Sequence, residues 1–164
     1  MSFLKKSPWV LHYNASSCNG CDLELVAALM PRYDPERFGV INTGNPKHAD
    51  IFLITGSMNV RNVEVVRTLY NQMPSPKVVV AVGICATSGC VFAEAYNVLG
   101  GVDKVLPVDV YVLGCAVRPE AILDGILKAA GVLEEKYRVL RAEKIEGKIA
   151  GKIAEKINSK EVPA

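Results

Sequence analysis

The chain has 164 residues, half of them hydrophobic, and its 19 basic and 17 acidic side chains leave a formal charge of +2. That length suits one domain burying roughly 70% of its unfolded surface, and the near-balanced charge, with its basic excess mostly near the C-terminus, argues against a nucleic-acid-binding face. No run reaches the about 18 apolar residues of a membrane span, because the uncharged stretch 78–93 is broken by glycine, threonine, serine and cysteine.

Near the N-terminus, Lys5 and Lys6 are followed by Pro8, Trp9, His12 and Asn14, without an apolar signal core or a small-residue cleavage site. The chain therefore reads as cytosolic. Five cysteines in a reducing compartment point to metal or redox chemistry, and an odd number cannot all pair as disulfides.

Apolar runs of strand length alternate with segments of helical period, the pattern of an α/β domain on a mainly parallel sheet. Residues 8–14 are the first expected strand. A helix follows over 22–30, with Leu23, Val26, Ala27 and Met30 on one face and Pro31 as its stop. Residues 38–43 and 51–55 are the next two strands, turned by Gly44, Asn45 and Pro46; the second is almost wholly apolar and is placed centrally. Over 61–73, Val63, Val66, Leu69, Tyr70 and Met73 fall at helical spacing and read as core packing.

A strand over 77–84 leads to Cys85 in a loop, and Ser88 is placed to cap a helix running through Glu94 to Leu99, ended by Gly100 and Gly101. The strand at 108–113 leads to Cys115 in a loop of the same kind. Pro119 then opens the last core helix, with Glu120 at the positive end of its dipole. Farther on, Lys144-Ile145 begins a pair that recurs every four residues through Ile157. As a helix, its isoleucine stripe would drift about 40° per repeat, and Gly147 and Gly151 would each cost about 1 kcal/mol. The division is an α/β domain of residues 1–140 and a basic, isoleucine-bearing tail or docking helix of residues 141–164.

Cys18 and Cys21 form a C-x-x-C pair, and Cys85 and Cys115 each end an apolar run. Ligands of open parallel sheets gather where strands end, so four thiols from three loops read as one metal site. Soft, deprotonated sulfur suits an iron–sulfur cluster. Zinc is the rival, although structural zinc sites bring two closely spaced ligand pairs in small loop-rich modules. A metal-free dithiol at Cys18 and Cys21, activated by a helix start beside Cys21, is a third reading that leaves Cys85 and Cys115 without a role.

Cys90 could compete as a ligand; an inert thiol packed beside Val91 and Phe92 is the expectation. Arg118, three residues after Cys115, is a candidate for tuning the cluster or for a surface salt bridge. Arg32, beside Tyr33 after the first helix, is a second tuning candidate. His12 and His48 lack metal-type spacing and read as structural. Residues 83–89 lack the lysine of a phosphate loop, so nucleotide binding is not expected.

Several separated motifs then occur in one order: S-C-N-G-C-D, P-R-Y-D-P-E-R-F-G, A-D-I-F-L-I-T-G, Q-M-P-S-P-K, V-G-I-C-A and D-V-Y-V-L-G-C-A-V-R-P-E-A-I-L. Over residues 8–130 the chain resembles the cluster-bearing small-subunit family shared by respiratory complex I and the energy-converting, membrane-bound nickel–iron hydrogenases, including related sulfur-reducing membrane complexes. The resemblance implies a flavodoxin-like open sheet with helices on both faces. It also implies one 4Fe-4S cluster on Cys18, Cys21, Cys85 and Cys115, and a chain that is not catalytic alone. Electrons would come from a ferredoxin-like iron–sulfur subunit and pass to a site shared with a large catalytic subunit. Antiporter-like membrane subunits would pump ions, and the chain would sit peripherally on the cytoplasmic face of the membrane.

Three departures refine that resemblance. Complex I subunits have adjacent cysteines where Cys18 and Cys21 are separated, which favours the hydrogenase-type branch over a quinone reductase. Thr87, Ser88 and Cys90 interrupt the glycines usual after the third ligand, and Ala116-Val117 replaces a usual proline pair.

Overall fold

The computed structural model describes the backbone of residues 7–158 and the side chains of residues 7–143 and 145. Lys5, Lys6 and the side chains of the Lys-Ile repeat other than Ile145 lie outside the described residues. The strands are β1 (Trp9–Ser16), β2 (Ile41–Asn42), β3 (Ile51–Gly56), β4 (Met58–Asn59), β5 (Val78–Val82), β6 (Val98–Gly100) and β7 (Val110–Val112). The helices are α1 (Gly20–Leu29), α2 (Asn62–Gln72), α3 (Ile84–Ser88) and α4 (Pro119–Asn158). The chain divides into units of residues 1–133 and 134–164, the boundary falling inside α4.

The first unit is built on a five-stranded sheet in the order β2-β1-β3-β5-β7, with parallel pairing throughout. Numbering only these strands gives 2-1-3-4-5, the flavodoxin-like doubly wound order. β3 is central and buried along its whole length, and so is β5; strands covered on both faces need the near-continuous apolar sequence seen there.

Register sorts the side chains. Leu11, Phe52 and Val79 pair across the sheet and belong to one apolar cluster with Ile54, Ala81, Val66 of α2 and Met73 just after it. On the opposite face, a Cβ on Gly125 of α4 would lie 2.4 Å from Val112 Cγ2, so the helix sits directly on β7 there. Helices thus cover both faces. Val66 is fully buried against the α2-side cluster, and Val66→Ala is expected to cost about 2 kcal/mol, measured as a lowered urea midpoint with unchanged slope.

Three local expectations are corrected. The strand over 38–43 shrinks to Ile41–Asn42, because Pro35–Phe38 forms a 3-10 turn closed by Gly39 at φ 92°. The strand over 77–84 stops at Val82, and Cys85 lies in the first turn of the short helix α3 rather than in a preceding loop. No helix runs from Ser88 to Leu99. The Ser88 hydroxyl donates back to the Ile84 carbonyl at 3.2 Å. Gly89 (φ 86°) and Cys90 (φ 51°) are both left-handed, which a right-handed helix cannot continue through. Residues 90–92 form a 3-10 turn, and Val98–Gly100 becomes β6, antiparallel to β4.

In the second unit, α4 continues helically to Asn158 and Ile145 is exposed. Among the described residues no helix is long and apolar enough to cross a membrane.

Candidate metal centre

The C-terminal ends of β1, β3, β5 and β7 lie along one edge of the sheet, as parallel pairing requires. The chain leaves β1 into the Cys18–Cys21 turn, β5 into Gly83 and Cys85, and β7 into Gly114 and Cys115. Ser17, Cys18, Cys21, Gly56, Cys85 and Cys115 are among the residues lining a cup of about 90 Å³ at that edge. All four anticipated thiols therefore line one cup, Cys18 and Cys115 from loops and Cys21 and Cys85 from the first turns of α1 and α3. Cys18 and Cys115 are exposed, whereas Cys21 and Cys85 are half-buried, so the cup opens outward.

Glycines give the cup its room. Gly83 has φ +91°, and a Cβ there would lie 2.7 Å from Cys21 Sγ. Gly56, at φ +81°, lets β3 pass beneath the cysteine turn: its Cβ would lie 2.4 Å from the Ser17 amide nitrogen. These are close backbone approaches that only glycine permits.

The electrostatics are those of crowded thiols. Burial pushes Cys21 up, against a lowering hydrogen bond from the Val117 backbone; Cys18, Asp22 and Cys115 add smaller repulsions. Burial also pushes Cys85 up to about 11, followed by repulsion and a hydrogen bond from Cys90, then by Cys115 and Cys18. The lowered pKa expected of Cys21 at a helix start is thus reversed by burial. A soft cation bound here would displace the thiol protons.

Cys90 does not sit in the apolar packing expected of it. Val91 and Phe92 are 82% and 54% exposed, and Cys90 is half-buried and hydrogen-bonded to Cys85. Arg32 and Arg118 lie elsewhere than in the cup. Both line an open cleft of about 420 Å³ between the end of α1 and the start of α4, with Met30, Tyr33, Pro119 and Glu120. There Tyr33 Oη donates to Glu120 Oε1 at 2.7 Å, and Arg32 lies over the Tyr33 ring at 5.8 Å. That hydrogen bond raises the Tyr33 pKa and lowers that of Glu120. His48 packs its ring 5.7 Å from Trp9.

One group beside the cup was not anticipated. Asp22, the residue after Cys21, accepts hydrogen bonds from Thr55 Oγ1 at 2.5 Å and Asn14 Nδ2 at 3.0 Å. It also accepts from Ser17 Oγ and lies 2.9 Å from His12 Nε2. The available signal was an acid in the first turn of a helix beside Ser17, but His12 and Thr55 meet it only through the β1–β3 register.

A doubly wound sheet with four thiols lining one cup at its C-terminal edge defines an α/β protein of the kind whose ligands gather where strands end, and soft sulfur is the donor type that suits iron–sulfur and related centres. The chain belongs to the family described as NADH ubiquinone oxidoreductase, 20 Kd subunit, whose model matches residues 18–129.

The relatives lie on both branches of that family. The chain is 50% identical over 141 residues to a probable membrane-bound hydrogenase subunit, mbhJ, of Pyrococcus furiosus, covering 86% of this chain and 83% of that one. It is 44% identical over 124 residues to a subunit of the NADH-quinone oxidoreductase of Citrifermentans bemidjiense, covering 76% and 71%. Among solved structures it is similar to a chain of the membrane-bound sulfane sulfur reductase, an archaeal respiratory membrane complex. That match has a TM-score of 0.69 and 39% identity over 80% of this chain and 72% of that one. The chain is thus a subunit of the hydrogenase-type and complex I-like oxidoreductases.

Proposed function

We propose that the chain is the electron-transfer subunit of a membrane-bound, ferredoxin-linked, ion-pumping oxidoreductase, holding one 4Fe-4S cluster on Cys18, Cys21, Cys85 and Cys115. The observation that carries this reading is the meeting of these four thiols in one cup at the sheet's C-terminal edge. Such a cluster supplies a one-electron relay. The chain's own residues would hold it: four sulfurs from the ends of three strands and the turns that follow them, a backbone amide from Val117 toward Cys21, and glycines that keep side chains out. No residue of the chain is assigned a bond-making role.

Spacing supports a cluster over zinc. Only Cys18 and Cys21 form a close pair, while Cys85 and Cys115 come singly from other strand ends; structural zinc sites usually bring two close ligand pairs in small loop-rich modules. The raised Cys21 and Cys85 pKa values likewise disfavour a metal-free thiolate enzyme.

The partners follow from the same reading. A ferredoxin-like subunit delivers electrons, the large catalytic subunit receives them at the open side of the cup, and antiporter-like membrane subunits use the released energy. Ile84, which lines the cup, and Leu23 and Leu113, close in sequence to cup residues, are exposed, as an apolar subunit contact requires. Residues 1–140 serve as the cluster domain and 141–164 as a docking segment, at the cytoplasmic face of the membrane. Higher identity to a hydrogenase-type subunit than to the quinone-type relative favours hydrogenase or sulfur-reductase chemistry over quinone reduction.

The test is kinetic. When the reduced complex is mixed with its acceptor and freeze-quenched, the cluster signal is expected to bleach at the turnover rate. A centre that stays reduced while the complex turns over contradicts a place on the electron path. Cys90→Ala is expected to keep full iron content and an unchanged spectral type, because Cys90 contacts Cys85 and is not among the cup-lining residues; loss of half the iron or a new cluster type would show it to be a ligand.

A further inference from the structure

The Asp22 carboxylate is held from four directions. Thr55 Oγ1 at the end of β3, Asn14 Nδ2 on β1 and Ser17 Oγ in the cysteine turn donate to it, and His12 Nε2 of β1 approaches Oδ1 to 2.9 Å. His12 Nε2 is also 3.1 Å from Thr55 Oγ1. Asn14 Oδ1 in turn accepts from the Ser17 amide at 2.8 Å, and Ser17 Oγ accepts from the Asn19 amide at 2.9 Å. The network therefore spans β1, the whole Cys18–Cys21 turn and the central strand β3. Thr55 is fully buried, and the Asp22 side chain is only 15% exposed.

Such a carboxylate does two things at once. Multiple donors pin it, so the first turn of α1 and the cysteine turn are fixed before any ligand arrives. Three of those donors, from Thr, Asn and Ser, are neutral, so they orient the negative charge and offset it only in part. A fixed anion beside a redox centre opposes the arrival of an electron and favours the oxidised state, by the same reasoning that makes hydrogen bonds and charge the usual tuning devices of clusters.

We propose that Asp22 is a positioning residue that pre-shapes the Cys18–Cys21 turn and whose fixed charge lowers the reduction potential of the cluster. This rests on the 4Fe-4S reading above. Thr55 is its main restraint, because it reaches the carboxylate from the central strand and is closed to water.

Two variants of the intact complex separate charge from scaffold. Asp22→Asn keeps the shape and removes the charge; the midpoint is expected to rise, shifting the reduced-to-oxidised ratio at the wild-type midpoint by about tenfold, which is ~59 mV for one electron. Thr55→Val removes one donor and leaves the carboxylate less neutralised, so its midpoint is expected to fall. Both are read by electron paramagnetic resonance in a redox titration, with iron counted separately.

Opposed shifts at full iron content support the proposal. A scaffold role alone would not give opposite signs. Unmoved midpoints, shifts of the same sign, or loss of iron from both variants would overturn the charge role; should Asp22→Asn alone lose its iron, the sign in Thr55→Val decides. Wild-type protein without iron would instead refute the cluster reading itself.

Discussion

Cys21→Ala and Cys115→Ala are each expected to abolish the cluster signal and to bring turnover of the assembled complex to background. The two thiols come from different loops, yet both line the cup, and Cys115 contributes to the repulsion that raises Cys21. On the proposed 4Fe-4S reading, losing one of four ligands would leave an iron without its thiolate in a half-open cup, where water could reach the cluster. The fold should survive both changes. Cys115 is exposed and Cys21 only half-buried, so neither truncation opens a core cavity, and the stability lost is what the bound group contributes. Iron content, the low-temperature spectrum and far-ultraviolet circular dichroism together check this. Full iron and full turnover in either variant would remove that residue from the ligand set.

Gly83→Ala is expected to be nearly as damaging by a different route, because it adds an atom without removing a ligand. The new Cβ would meet Cys21 Sγ at 2.7 Å, and the backbone at φ +91° is one that L side chains resist. The strain is about 1–3 kcal/mol, and the cheapest relief is to push the Cys21 thiol out of the cup. Most of the iron is expected to be lost while the sheet remains folded. Gly131→Ala is the control. Nothing lies within 4 Å of its added Cβ, and it replaces a glycine inside α4, so stability is expected to rise by about 0.5–1 kcal/mol with iron unchanged. Equal iron in the two alanine variants would contradict the crowding argument at Gly83.

The sheet and the four thiols were legible because they rest on signals local in sequence. β3 and β5 are covered on both faces, so their burial is written as unbroken apolar runs at 51–54 and 78–82. A parallel sheet then fixes where the residues after those runs must gather, and the cysteines after β1, β5 and β7 follow. The motifs also named the family, which the match over residues 18–129 bears out.

What was missed depends on contacts distant in sequence or on backbone signs that residue type does not announce. The pairing of β4 with β6 involves strands of two and three residues, too short for any period. A left-handed Cys90 following Gly89 turned an expected helix into a turn and a strand. The Asp22 clamp requires His12 and Leu53 to be in register, which sets Thr55 beside Asn14. The cleft holding Arg32 and Arg118 exists only because the end of α1 and the start of α4 meet; nearness of Arg118 to Cys115 in sequence did not place it in the cup.

The most direct measurement is the metal content of the complex purified anaerobically with its partners, together with the electron paramagnetic resonance spectrum of the chemically reduced sample. About four iron and four sulfide attributable to this chain, with a 4Fe-4S signal that is lost in Cys115→Ala, is the expected result. Zinc bound to the chain without iron, or thiols that cycle between dithiol and disulfide without metal, would contradict the account.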